Sequence, residues 1–351
     1  MVKPQDEVRS GLEVTSPERG VPAQKPVTLA MVAKHAQVHY STVSRALSPN
    51  PTGIGADTVK RVRELATLLG YRRDEGAAAL KRGRSRLIGV LVPRLTDVAL
   101  ATLYAGIDDA ASLAGYDTVV ANTWDEAERR RSRLDSLLSR RVDGIILADS
   151  HIADHTAHEL SKLGLPCVLA MRRLPSEVSV STDDLAGGRL AAEHLISRGH
   201  TQVGIIAGDI TASTGIERSQ GFTSAYRESG MDVPQSHIIA SGFGALAGYE
   251  ACRKLLELPE RPTAIFAADD LTAVGAMGAI RDAGLRIRND IAIIGYNDID
   301  ISKQLPIPLT TIRSPLLEMG RASLKKLLDR ISGRPVDSEL LKPELIVRST
   351  T

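Results

Sequence analysis

From Leu29 the apolar positions recur at Val32, Ala33 and Ala36, the three-and-four spacing of one buried helix face. A break follows at Gln37–Val38, and Val43, Ala46 and Leu47 then anchor a second short periodic run. Ala33, Gln37 and Val43 stand four and then six residues apart. That spacing puts a small residue where two helices cross, then a tight turn, then an apolar anchor, and predicts a helix-turn-helix. The second helix carries Tyr40, Ser41, Thr42, Ser44 and Arg45 on its exposed face. Such side chains suit the major groove, where base edges show a distinct donor and acceptor pattern. The same spacing also fits an ordinary amphipathic helix pair whose Ser and Thr cap helices or stay solvated. After the loop S-P-N-P-T-G-I-G, the stripe Val59, Val62, Leu65, Ala66 and Leu69 predicts a third helix, stopped at Gly70–Tyr71.

From Leu87 the texture changes to short apolar runs between amphipathic stretches. The runs are L-I-G-V-L-V-P, Y-D-T-V-V-A-N, V-D-G-I-I-L-A-D and P-C-V-L-A-M, then V-G-I-I-A-G, S-H-I-I-A-S, T-A-I-F-A-A-D and I-A-I-I-G-Y-N-D. Continuous apolar strands alternating with helices predict parallel sheets covered on both faces. The series reads as one architecture repeated, the second copy starting near Val203, with ligand groups expected at the strands' carboxyl ends facing a shared cleft. Between the two textures lies D-E-G-A-A-A-L-K-R-G-R-S-R, one marginal helical turn set among Lys81, Arg82, Arg84 and Arg86.

A chain of 351 residues is too long for one ordinary core. Charge is unevenly placed: residues 27–86 carry 11 Lys and Arg against 4 Asp and Glu, whereas residues 87–351 carry 29 against 34. A basic module on an acidic body implies phosphate contact by one part only. No apolar run reaches membrane-spanning length and the amino terminus has no apolar signal core, so a cytoplasmic protein, nucleoid-associated when bound to DNA, is expected. The Pro-, Glu- and Gly-rich residues 1–26 read as a disordered tail. Cys167 and Cys252 fit no metal or redox spacing. The Asp pairs at 108–109, 183–184 and 269–270 lack a nucleophile and base, no phosphate loop is present, and His151, His155 and His158 read as a solvated face. No enzyme, cofactor or metal is therefore expected.

The stretch V-T-L-x-x-V-A-x-x-A-x-V-x-x-x-T-V-S-R, Val27 to Arg45, closely resembles the DNA-reading headpiece of the lactose-repressor (LacI/GalR) family. The resemblance continues through D-D-L-A-G-G-R-L-A-A-E-H-L-I-S-R-G-H (183–200), E-R-S-Q-G-F (217–222), A-A-D-D-L-T-A-V-G-A (267–276) and P-L-T-T-I-R (308–313), covering roughly nine-tenths of the chain. It implies an α/β protein: an all-α helix-turn-helix headpiece at 27–72 and a basic hinge at 73–86, followed by a two-lobed periplasmic-binding-protein-like domain with parallel sheets at 87–351. The lobes are expected at 87–184 with 315–342 and at 185–314 with 343–351. In that family Tyr40, Ser41 and Arg45 would read bases, and Thr28, Thr42 and Ser44 would contact phosphates. Tyr71 would be a phosphate contact or a rim aromatic. Leu80 would wedge into the minor groove with Lys81 beside it. The chain departs from the family at Gln37, where Gly is usual, at His39, where a small polar residue is usual, and at Arg73–Asp74, where Pro-Asn is usual.

By the same resemblance Arg218 is the effector-binding arginine and Phe243 a ring that stacks on a sugar face. Asp269 and Asp270 match an Asn-Asp pair, Asn297 is the reverse exchange, and Asp97 opens a segment that lacks the family's Phe pair. These exchanges set the usual sugar against a ligand carrying positive charge. The chain ends soon after E-L-I-V-R-S-T, so a dimer without a tetramerising segment is expected. The expected function is a repressor that binds a near-palindromic double-stranded DNA operator as a homodimer, controlled by a sugar or related polar effector and with no membrane partner. The competing expectation is a soluble ligand-binding protein without regulatory DNA binding; it leaves the helix-turn-helix and basic hinge unexplained.

Overall fold

A computed structural model describes residues 27–48, 50–71 and 84–351. The amino-terminal tail and most of the hinge, with Leu80 and Lys81, lie outside the described residues. The chain falls into two compact units that divide between residues 82 and 83.

In the first unit, α1 (Leu29–Ala36), α2 (Tyr40–Ala46) and α3 (Ala56–Leu68) enclose a core of Val32, Ala33, Ala36, Val43, Ala46, Val62 and Ala66. Helices this short are unstable alone, so their shared apolar contacts maintain them. Thr28 caps α1 by accepting from the Met31 amide at 3.3 Å. Gln37 ends it in the left-handed region, φ 54° and ψ 42°. An L residue with a side chain held there costs about 1 kcal/mol, which the turn accepts because the Val38 amide reaches the Ala33 carbonyl at 3.2 Å. Arg63 on α3 donates to the carbonyls of Ala46 and Ser48, at 3.2 and 3.1 Å, and so closes the end of α2.

The second unit contains two six-stranded sheets. The first has strand order β11-β5-β4-β3-β1-β2, with β1 Leu87–Val92, β2 Asp117–Asn122, β3 Gly144–Leu147, β4 Cys167–Ala170, β5 Ser179–Thr182 and β11 Glu339–Leu341, all parallel. The second has order β12-β10-β9-β8-β6-β7, with β6 Val203–Gly208, β7 Ile238–Ala240, β8 Ala264–Ala267, β9 Ala292–Asn297, β10 Thr310–Arg313 and β12 Glu344–Ile346. Only β12 in it runs antiparallel. Helices cover both faces of each sheet. On the first sheet are α4 (Val98–Leu113), α5 (Ala127–Ser139), α6 (Thr156–Lys162) and α11 (Leu316–Ile331). On the second are α7 (Asp184–Ser197), α8 (Ser213–Glu228), α9 (Ala245–Leu256) and α10 (Asp270–Asp282). The chain crosses between lobes after β5, after β10 and between β11 and β12.

The apolar runs at β1, β3, β4, β6, β8 and β9 are buried along their length. The run S-H-I-I-A-S yields only three strand residues, preceded by a 3-10 turn at Gln235–His237. The strands β5, β10, β11 and β12 fall outside the apolar runs. β5 (S-V-S-T) and β10 (T-T-I-R) bury Ser and Thr side chains where the other central strands bury apolar ones.

One close helix crossing, of α7 on α8, helps position the second lobe. A Cβ on Gly221 of α8 would lie 2.0 Å from the Leu185 carbonyl oxygen, and one on Gly188 of α7 would lie 2.1 Å from that of Arg218. The backbones meet there with no room for a methyl group. Gly221→Ala should lower unfolding free energy by ~1–3 kcal/mol in a urea titration, the range for overpacking. Gly278→Ala meets only ordinary contact at 3.5 Å from the Tyr249 ring and should change it by under ~1 kcal/mol.

Candidate functional sites, a polar helix face and an interlobe cleft

The first site is α2. Val43 and Ala46 are fully buried and fix the helix on its core, while Tyr40 is 60% exposed and Arg45 is exposed. Tyr40, Ser41, Ser44 and Arg45 fall at i, i+1, i+4 and i+5, so they share one face, with half-buried Thr42 to its side. His39 caps the helix: its Nδ1 lies 2.8 Å from the Ser41 hydroxyl, and its ring is 4.5 Å from that of Tyr40. The Arg45 Nε donates to the Ser41 carbonyl at 3.4 Å, leaving the rest of the guanidinium for other acceptors. Thr28 caps α1, and Tyr71 is half-buried against the headpiece core.

The second site is a narrow cleft between the two sheets of the second unit. All five residues singled out for an effector, Asp97, Arg218, Phe243, Asp269 and Asn297, line it. Arg94, Arg172 and Thr214 line it too and were not foreseen. Thr214 had a readable signal, since it stands one helical turn before Arg218. Arg172, in the turn after β4, had none.

Arg218 is 3% exposed, and each of its three nitrogens has a partner within the protein. Its Nε donates to Asp184 at 2.8 Å, its Nη1 to the Ala268 carbonyl at 2.6 Å and its Nη2 to the Asn297 side-chain oxygen at 3.5 Å. The guanidinium carbon lies 3.7 Å from the centroid of the Tyr296 ring. Burial opposes the charge on Arg218, but the Asp184 carboxylate outweighs it and holds the arginine protonated. Asn297 takes a backbone φ of 103°, strained for a residue with a side chain, and its oxygen also accepts from the Ser314 hydroxyl at 3.1 Å.

The two acidic candidates are helix caps. Asp97 accepts from the Ala99 amide at 3.0 Å, and Asp269 from the amide and hydroxyl of Thr272, both at 2.7 Å. Burial, then the Asp269 carboxylate, raise Asp97 above its ordinary range. Asp270 points away from the cavity lining into the core, accepting from the Ile299 amide at 2.8 Å and the hydroxyls of Ser302 and Thr311 at 2.8 and 2.5 Å. At one rim of the cleft, Arg172 lies 3.0 Å from Asp125, which also faces His151 at 3.1 Å. Against the pull of burial, His151 and Arg172 hold the Asp125 carboxyl well below its ordinary range. His151 reaches across to the Thr211 hydroxyl at 2.7 Å. Asp125, His151 and Asp209 are the one group among the described residues with metal-ligand reach, and the Arg172 guanidinium already occupies the same Asp125 oxygen.

A three-helix unit with a polar recognition face, joined to two covered sheets around a polar cleft, defines a regulator that pairs DNA reading with ligand sensing. The chain belongs to the LacI/GalR family of helix-turn-helix transcriptional repressors and is not an enzyme. Residues 192–351 match the periplasmic binding protein-like domain family. The HTH-type transcriptional repressor CytR of Escherichia coli K12 is 33% identical over 92% of this chain and 96% of its own length. Catabolite control protein A of Priestia megaterium is 30% identical over 90% and 96%. A crystal structure of the lac repressor dimer bound to operator and the anti-inducer ONPF superposes with a TM-score of 0.84 at 30% identity, covering 93% of this chain and 99% of that one.

Burial pushes the Asp270 carboxyl up to about 7. A carboxyl raised on folding stabilises fully below its unfolded value near 4, and that contribution is lost as pH rises through about 7. Asn is the neutral isostere, able to accept from Ile299 and Ser302 and donate to Thr311. Asp270→Asn should therefore gain stability relative to the parent between pH 5 and pH 8 in urea titrations. Asp270→Ala should cost ~1–3 kcal/mol at either pH, because the Ile299 amide is left unpaired.

Proposed function

We propose that the chain is a homodimeric repressor that reads a near-palindromic operator in the cytoplasm, and that occupancy of the interlobe cleft by a small polar effector sets its operator affinity. The observation that carries the reading is the single exposed polar face of α2, whose opposite side is locked into the headpiece core. Two such faces related by a two-fold axis fit adjacent major grooves of an inverted repeat. The lac repressor structure, described as a dimer on its operator, supports the assembly, and a CelR–cellobiose complex, 29% identical with a TM-score of 0.72, supports a sugar-sized cleft ligand.

In this reading Tyr40, Ser41 and Arg45 contact base edges, and Thr28, Thr42, Ser44 and Tyr71 hold phosphates. Leu80 wedges into the minor groove with Lys81 on its rim. Asp97, Arg218, Phe243, Asp269 and Asn297 bind the effector. No helix among the described residues is long and apolar enough to cross a membrane, and the reading needs none. The effector acts by its unequal affinity for the lobe arrangements that favour and disfavour operator binding.

Arg45→Ala should relax sequence preference at one position per half-site, at ~1–3 kcal/mol per base pair, when bound duplexes are selected at fixed salt. An unchanged preference removes Arg45 from base reading. Leu80→Ala should weaken binding to the duplex that the parent selects and reduce its bending, with headpiece folding intact. Equal affinity and equal bending contradict the wedge.

A further inference from the structure

Two carboxylates line the cleft from opposite lobes. Asp97 caps α4 on the first lobe, Asp269 caps α10 on the second, and both line the same cavity. They are near enough for the charge of Asp269 to raise the Asp97 carboxyl further than burial does alone. The cationic side chains around them are mostly committed. Arg218 is paired with Asp184 at 2.8 Å and Arg172 with Asp125 at 3.0 Å. Arg94 remains, half-buried, with its guanidinium 3.5 Å from the Phe243 carbonyl; its charge eases the rise of the Asp97 carboxyl without cancelling it, so one cation stands against two carboxylates. Setting these three arginines against Asp97, Asp125, Asp184 and Asp269 leaves the cleft with an excess of one negative charge when all are ionised.

We infer that the ligand selected by this cleft carries a basic nitrogen, lodged between Asp97 and Asp269. The inference rests on the cleft being the effector site and names the chemistry that site prefers. Like charges on facing lobes oppose closure, and a cation between them removes the repulsion where the lobes come together. Its affinity is therefore greatest in the closed arrangement, the differential that a controlling ligand requires. A neutral polyol leaves the repulsion in place. The Phe243 ring supplies the apolar wall: it lies over Gly208, where a Cβ would come within 2.6 Å of it.

The test uses the full chain and pairs of probes that differ only in charge: glucosamine against glucose and N-acetylglucosamine, and putrescine against 1,4-butanediol. Calorimetric titration at neutral pH and low salt should show at least one amine binding roughly tenfold or more tightly than its neutral counterparts. Asp97→Asn and Asp269→Asn should each erase that preference. Both replacements keep a side-chain oxygen for the helix cap, so a urea midpoint no lower than the parent's confirms that the fold is intact. Neutral probes binding as tightly as the amines, no amine binding, or a preference that survives both variants overturns the inference. Glucose that binds as tightly as glucosamine and shifts operator affinity overturns the charge inference and keeps the effector reading. Amine binding that leaves operator affinity unmoved keeps the charge inference and overturns the effector reading.

Discussion

The cleft depends on one buried ion pair, Arg218 with Asp184, set beneath the ring of Tyr296. Removing one partner of such a pair strands a charge in a low-dielectric interior, at ~3–5 kcal/mol, whereas an apolar pair of equal volume is often no less stable. Its value here is positional. Asp184 begins α7, directly after the first crossing between lobes; Arg218 stands on α8; Ala268 and Asn297 lie at the carboxyl ends of β8 and β9. Ser314, at the return crossing, hydrogen-bonds the same Asn297 oxygen. One guanidinium thus joins the cleft wall to two of the three chain crossings. A ligand that draws on Arg218 or Asn297 acts on the segments about which the lobes reorient.

The cleft is closed on one rim by direct contacts between lobes. His151 meets Thr211, the Ile152 amide meets the Thr211 carbonyl at 2.9 Å, and Arg173 pairs with Glu217 at 2.9 Å. Inside, Asp97 and Asp269 line the gap from opposite lobes, and in the inference drawn above their like charges oppose its closure. The lobes are therefore balanced between polar contacts that favour approach and a carboxylate pair that resists it. A binding site poised in this way responds to small changes in what occupies it.

Much of this was legible along the chain. The three-and-four spacing at Val32, Ala33, Ala36, Val43 and Ala46 marks the headpiece core because a short helix has only one face to bury. Apolar runs mark the central strands because a parallel strand is covered on both sides. Strands β5 and β10 were not legible, since buried Ser and Thr do not mark an apolar run; in β10 the Thr311 hydroxyl finds its partner, Asp270, only in the folded protein. Arg172, Asp125 and His151 were equally hidden, for three loops distant in sequence converge on one rim. Resemblance supplied the five cleft residues that the structure brings together, but not that each Arg218 nitrogen already has a partner within the protein, nor that Asp97 and Asp269 line the cleft from opposite lobes.

The central claim, that two copies of this headpiece read DNA as a symmetric unit, is tested most directly by selecting bound duplexes from a random pool with the purified full chain at stated salt. The account predicts an enriched inverted repeat with a deformable central step, where a wedge costs least. Enrichment of a single unrepeated half-site, or of no sequence at all, would contradict it.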